Sequence, residues 1–128
     1  MPAAGRARLR LNMSDGSQVL SKLRYHVFVC VDAGSFCGCE ANGSGDFLVA
    51  LRKQLVKRRL MPYVKTTLMN CNQPGAHGPV VVVHPHGVWY DGLKAEDVAA
   101  FIETQLIGGQ PLTRRLMHSE PQTGHSAY

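Results

Sequence analysis

The chain has 128 residues, 45% of them hydrophobic and 18% charged, with a formal net charge of +5 at neutral pH. That length builds one domain with a buried core and is too short for two. No apolar run approaches the roughly eighteen residues that a membrane-crossing helix needs, so a soluble, cytoplasmic protein is expected. The positive balance raises nucleic acid as a partner. Its densest block, however, Arg52, Lys53, Lys57, Arg58 and Arg59, falls at the end of an expected helix, where the helix dipole favours cations, and no aromatic residues interleave it for base stacking. An acidic protein partner suits the charge, and neither nucleic acid nor a membrane is expected as one.

The chain opens with Arg6, Arg8 and Arg10, without the apolar stretch or cleavage site of a secretory signal. Residues 1–22 are expected to be a disordered basic segment. A first strand follows in Tyr25 to Val31 (YHVFVCV), rich in β-branched and aromatic residues, with Cys30 at its exit. Gly34 to Gly45 (GSFCGCEANGSG) has no periodicity and reads as a loop holding Cys37 and Cys39. From Asp46, the spacing of Phe47, Leu48, Leu51 and Leu55 predicts a helix, which Pro62 ends. A second strand over Val64 to Met69 delivers the chain to Cys71. Pro79 to His84 predicts a buried third strand and Gly87 to Tyr90 a fourth, joined by a turn at His84-Pro85-His86-Gly87. The turn histidines, His84 and His86, read as surface residues.

From Glu96, Val98, Phe101, Ile102 and Leu106 predict a second amphipathic helix closed by Gly108-Gly109. Residues 114–128 read as a polar tail. The order strand, helix, strand, strand, strand, helix, with no internal repeat, predicts an α/β fold: a thioredoxin-like domain over residues 23–113, its mixed four-stranded sheet flanked by two helices.

Four cysteines in a chain without an export signal point to reduced thiols, and so to metal or redox chemistry rather than structural disulfides. Cys30, Cys37, Cys39 and Cys71 all fall in loops or at strand ends. Cys30, between two valines, also reads as a small buried hydrophobe, whereas Cys37 and Cys39 in a polar glycine loop are poorly explained by packing.

Together, His26-Val-Phe-Val-Cys30, Cys39-Glu-Ala-Asn-Gly43, Cys71, Gly78-Pro79 with the valine run to Val83, Gly87-Val-Trp-Tyr90 and Leu106-Ile-Gly-Gly109 resemble the thioredoxin-like two-iron, two-sulfur (2Fe-2S) ferredoxins. The resemblance spans about residues 25 to 115. It implies a 2Fe-2S cluster, electron carriage rather than enzyme catalysis, and a homodimer. Carried over residue by residue, it gives three of the four cluster thiolates as Cys30, Cys39 and Cys71. The family's pattern puts the fourth at position 75, where this chain has Gly75.

A two-iron cluster takes four protein donors. Cys37, in the glycine loop beside Cys39, and His77, two residues past the vacancy, are the candidate replacements, with a solvent or small-molecule ligand as a further option. Exchanging a thiolate for neutral imidazole makes the cluster less negative and raises its reduction potential, and it couples electron transfer to protonation. No phosphate-cradling loop for a nicotinamide or flavin is present, so electrons are expected to come from an acidic redox partner protein. Three other functions stay open on the same residues. One is a labile-cluster sensor or cluster-transfer protein. A second is a mononuclear zinc site of three cysteines with His77 or Cys37, although its spacing lacks paired-cysteine knuckles. The last is thiol chemistry at Cys37-Gly-Cys39, where a disulfide would close a tight and easily reduced ring.

Overall fold

The computed structural model describes residues 22–32, 37–71 and 78–119. Gly75, His77, nearly all of the basic segment expected over 1–22 and the end of the polar tail lie outside these residues. The elements are β1 (Tyr25–Cys30), α1 (Ser44–Lys57), β2 (Val64–Met69), β3 (Val80–His84), β4 (Val88–Asp91), α2 (Val98–Phe101, continued by the π-helical turns of Ile102–Ile107) and β5 (Leu116–Ser119). They build one sheet in the order β2-β1-β3-β4-β5. β1 and β2 are parallel, joined through α1, and the other neighbours are antiparallel.

The sheet has opposite jobs on its two faces. Alternation along β1 sends Val27 and Val29 to one side, where they pack with Val81, Val83 and Tyr90 of the sheet and with Phe47, Leu51 and Phe101 of the helices. The intervening positions put Phe28 and Cys30 on the other side, with Val80, Val82, Met69 and Trp89 around the remaining cysteines. β3 is apolar on both faces, which explains its unbroken run of four valines. α1 follows Gly43, whose φ of +98° is one that a glycine adopts without strain, and it carries Asp46 in its first turn and Lys57 in its last, both suited to the helix dipole. Tyr90 ties the layers together. Its buried hydroxyl bonds Gln105 Oε1 and accepts the Leu112 N–H at 2.9 Å, while its ring meets Phe101 edge-on.

Two expectations need correction. The sheet has five strands rather than four, because residues 116–119 of the expected tail pair with β4, Trp89 opposite His118 and Val88 opposite Ser119. Leu116, Met117 and His118 are all exposed, so this edge strand is held by backbone pairing and shows no alternating pattern of burial. The second helix is also irregular: it widens after Ile102, and the Gly108 N–H reaches back to the Glu103 carbonyl at 3.0 Å.

β5 is fastened from below by Asp97, a buried carboxylate. It accepts the Lys94 N–H at 2.9 Å and pairs with Arg114 at 3.0 Å and Arg115 at 3.3 Å, immediately before the strand begins. Burial by itself would raise the Asp97 pKa. The Lys94 amide and the two guanidinium groups outweigh it and hold the carboxyl below its usual 3.8. Asp97→Asn is therefore expected to lower stability by about 1–3 kcal/mol at neutral pH. A depressed folded-state pKa contributes stability above the unfolded value and loses it as pH falls through the folded one, so the gap between variant and parent closes below about pH 4. Thermal melts of both proteins across that range check this, and a gap that persists in acid would rule out an ionic origin.

Candidate metal centre

Strand direction decides where the thiols meet. Cys30 ends β1, and because β2 runs parallel with Cys30 opposite Met69, the chain leaves β2 at the same edge and reaches Cys71 two residues later. β3 is antiparallel to β1 and so begins at that edge with Val80. The loop carrying Cys37 and Cys39 crosses it before α1, and the Ser44 N–H donates to the Cys39 carbonyl at 3.2 Å.

The four sulfur atoms all lie within 4.8 Å of one another. Two of the pairs are in contact, Cys30 with Cys37 at 3.8 Å and Cys39 with Cys71 at 3.7 Å. Cys30, Cys37 and Cys39 are buried and Cys71 is partly exposed, so the group sits just beneath the surface. Backbone amides are aimed at the sulfurs. The Cys71 N–H donates to Cys30 Sγ at 3.3 Å and the Val80 N–H to Cys39 Sγ at 3.4 Å. A hydrogen bond from the Cys39 amide holds the Cys37 thiol below its ordinary pKa, whereas burial pushes the Cys39 thiol up.

Thiolates bound about 2.3 Å from one tetrahedral ion lie about 3.8 Å apart. Cys30 with Cys37 and Cys39 with Cys71 have the spacing of two thiolates on one metal ion. Four thiols of this kind, ringed by Val80, Val82, Phe28 and Trp89 and supplied with amide donors, suit a 2Fe-2S cluster, which exchanges one electron at a time. All three cysteines carried over from the family resemblance, and Cys37 with them, are brought together here. Gly75 and His77 lie outside the described residues. His84 is opposite His26 at the other end of β1, remote from the thiols along the strand, and it is half-buried against Phe28 rather than fully exposed.

One supporting residue was not legible as such. Gly78, buried with φ +36°, leads through Pro79 into β3, and a β-carbon there would sit 2.7 Å from Cys39 Cα. The Gly-Pro pair before the valine run was the available signal, but only the fold shows that it presses on the Cys39 backbone. Gly78→Ala is expected to displace Cys39 and reduce the iron and acid-labile sulfide retained per chain. Full metal content in the folded variant would show that the contact does not position the ligand.

No protein-family model matches the chain. It is 37% identical over 97 residues to a 2Fe-2S ferredoxin of Aquifex aeolicus, across 70% of this chain and 85% of that protein. It is 30% identical over 95 residues to a 2Fe-2S ferredoxin of Clostridium pasteurianum, across 71% of this chain and 93% of that one. The solved structure of a thioredoxin-like 2Fe-2S ferredoxin from Aquifex aeolicus matches with a TM-score of 0.69 at 32% identity, covering 80% of this chain and 98% of the other. Sequence and fold thus agree, and the chain belongs to the thioredoxin-like 2Fe-2S ferredoxin family.

Proposed function

We propose that this chain binds a 2Fe-2S cluster through Cys30, Cys37, Cys39 and Cys71 and carries single electrons between protein partners. The observation that carries the reading is the meeting of these four sulfurs within 4.8 Å, with Cys30–Cys37 and Cys39–Cys71 at the spacing of thiolates that share a metal ion. In this reading Cys37 takes the place of the cysteine that the family's pattern puts at position 75. The loop next to Cys39, rather than the loop after Cys71, then supplies the fourth thiolate. The electron needs no substrate pocket, only a cluster close to the surface, and Cys71 is the partly exposed member of the set. An acidic redox protein is the partner the net charge favours, and the family resemblance adds a homodimer. A cytoplasmic setting, where thiols stay reduced, suits four free cysteines.

The compactness of the sulfurs favours one second reading. Four thiolates so close also approach the cage of a single tetrahedral zinc ion. Acid-labile sulfide separates the two, since only the iron–sulfur cluster contains it.

In protein purified without oxygen, one sulfide per iron and visible bands that bleach on reduction are expected. Cys37→Ser is expected to abolish or strongly shift those bands, and His77→Ala to leave them unchanged. The opposite pattern would transfer the fourth-ligand role to His77. Colourless protein holding zinc without sulfide would replace the ferredoxin reading with the zinc one.

A further inference from the structure

A second surface lies away from the thiols. α1 and the start of α2 enclose an open groove of about 930 Å³. Arg52, Lys53, Lys57 and Arg58 line it, opposed by one carboxylate, Glu96. Two of these cations are already engaged: Arg58 pairs with Glu103 at 3.4 Å, and Arg52 donates to Thr66 Oγ1 at 2.9 Å. Lys53 and Lys57, one turn apart on α1, make no ion pair with any of the described residues. Between the charges the lining includes Ala50, Val98 and Ala99 beside Val56, which is 63% exposed, as Val49 outside the groove on the same helix is at 59%.

Exposure is shared with Val49, and what distinguishes Val56 is its place among the lysines in a concavity between two helices. Apolar floor and cationic rim together match an amphipathic segment with acidic residues along its edges. We infer that this groove docks an acidic, amphipathic segment of a partner protein. The inference rests on the acidic-partner reading above and adds where on the molecule that partner is held.

Position gives the groove its purpose. α1 begins beside Cys39, and the groove residues from Ala50 to Arg58 lie roughly 9–21 Å further along its axis at 1.5 Å per residue. A segment bound there grips the protein while leaving Cys71 and the thiol end uncovered. The groove is thus an anchoring site distinct from the surface through which electrons pass.

The test uses the full-length, cluster-loaded protein and a fluorescein-labelled peptide with leucines on one helical face and glutamates on the others, read by anisotropy. Saturable binding that weakens with added salt is expected. Lys53→Glu combined with Lys57→Glu should weaken it at least about tenfold, since reversing both charges turns attraction into repulsion at a shared interface. Val56→Asp should weaken it as well, while Lys53→Arg with Lys57→Arg should retain it. All three sites are exposed or on the groove rim, and melting curves together with visible bands verify that each variant is folded and loaded. Four results would overturn the inference: no binding by the parent, equal binding of a scrambled peptide of the same composition, binding indifferent to charge reversal, or tighter binding to anionic phospholipid vesicles or single-stranded DNA than to the peptide. Loss of the visible bands with peptide binding intact would count against the cluster reading and leave the groove standing.

Discussion

The structure depends on one edge of one sheet being shared by four chain segments. β1 and β2 can both end at that edge only because they are parallel, and the parallel pair requires the crossover that α1 provides. β3 starts at the same edge because it runs the other way. The final adjustment is a backbone contact: Gly78 packs against Cys39 at a distance that leaves no room for a side chain, so the loop entering β3 fixes the height of the loop entering α1. Two residues on, the Val80 amide is aimed at the Cys39 sulfur. The placement of the four thiols is thus a consequence of sheet topology plus one close approach, and the cysteines themselves need no local motif to find one another.

Much of this was legible in the sequence, for identifiable reasons. Strands β1, β3 and β4 and helix α1 bury what their patterns say they bury: Val27 and Val29 alternate, Phe47, Leu51 and Leu55 recur at helical spacing, and the valines of β3 are covered on both faces. β5 was not legible, because an exposed edge strand is stabilised by backbone hydrogen bonds and by the Asp97 anchor, and neither leaves a period in the side chains. The π-helical turns of α2 escaped for a related reason. Val98, Phe101, Ile102 and Leu106 keep their apolar character whether the turns hold 3.6 residues or slightly more, so hydrophobic spacing does not register the difference. At the site, the residue types announced thiol chemistry, but Cys37 beside Cys30 is a tertiary fact. Their separation of seven residues through a glycine loop permits many other geometries.

The thiols are unequal, and their environment says which way each is biased. Cys37 receives an amide hydrogen bond that favours its thiolate, while Cys39 is buried enough that its neutral form is favoured until a metal takes the charge. Amide donors and an apolar surround act together on bound sulfur. The donors stabilise negative charge, and the valines, Phe28 and Trp89 exclude the water that would otherwise do so.

Charge is also separated along α1. Its N-terminal end, where the helix dipole is positive, lies beside the thiol group, and its C-terminal half carries Arg52, Lys53, Lys57 and Arg58. Each location is favourable locally, since thiolates gain from a helix N-terminus and cations from a C-terminus. The two placements add up to a molecule that is negative at its metal end when four thiolates are bound there, and positive along its flank. An acidic partner approaching in such a field is repelled from the ligands and drawn to the flank. On the proposed docking, binding and electron exchange would occupy different surfaces at the same time, because the helix that begins beside Cys39 also carries the cations of the groove.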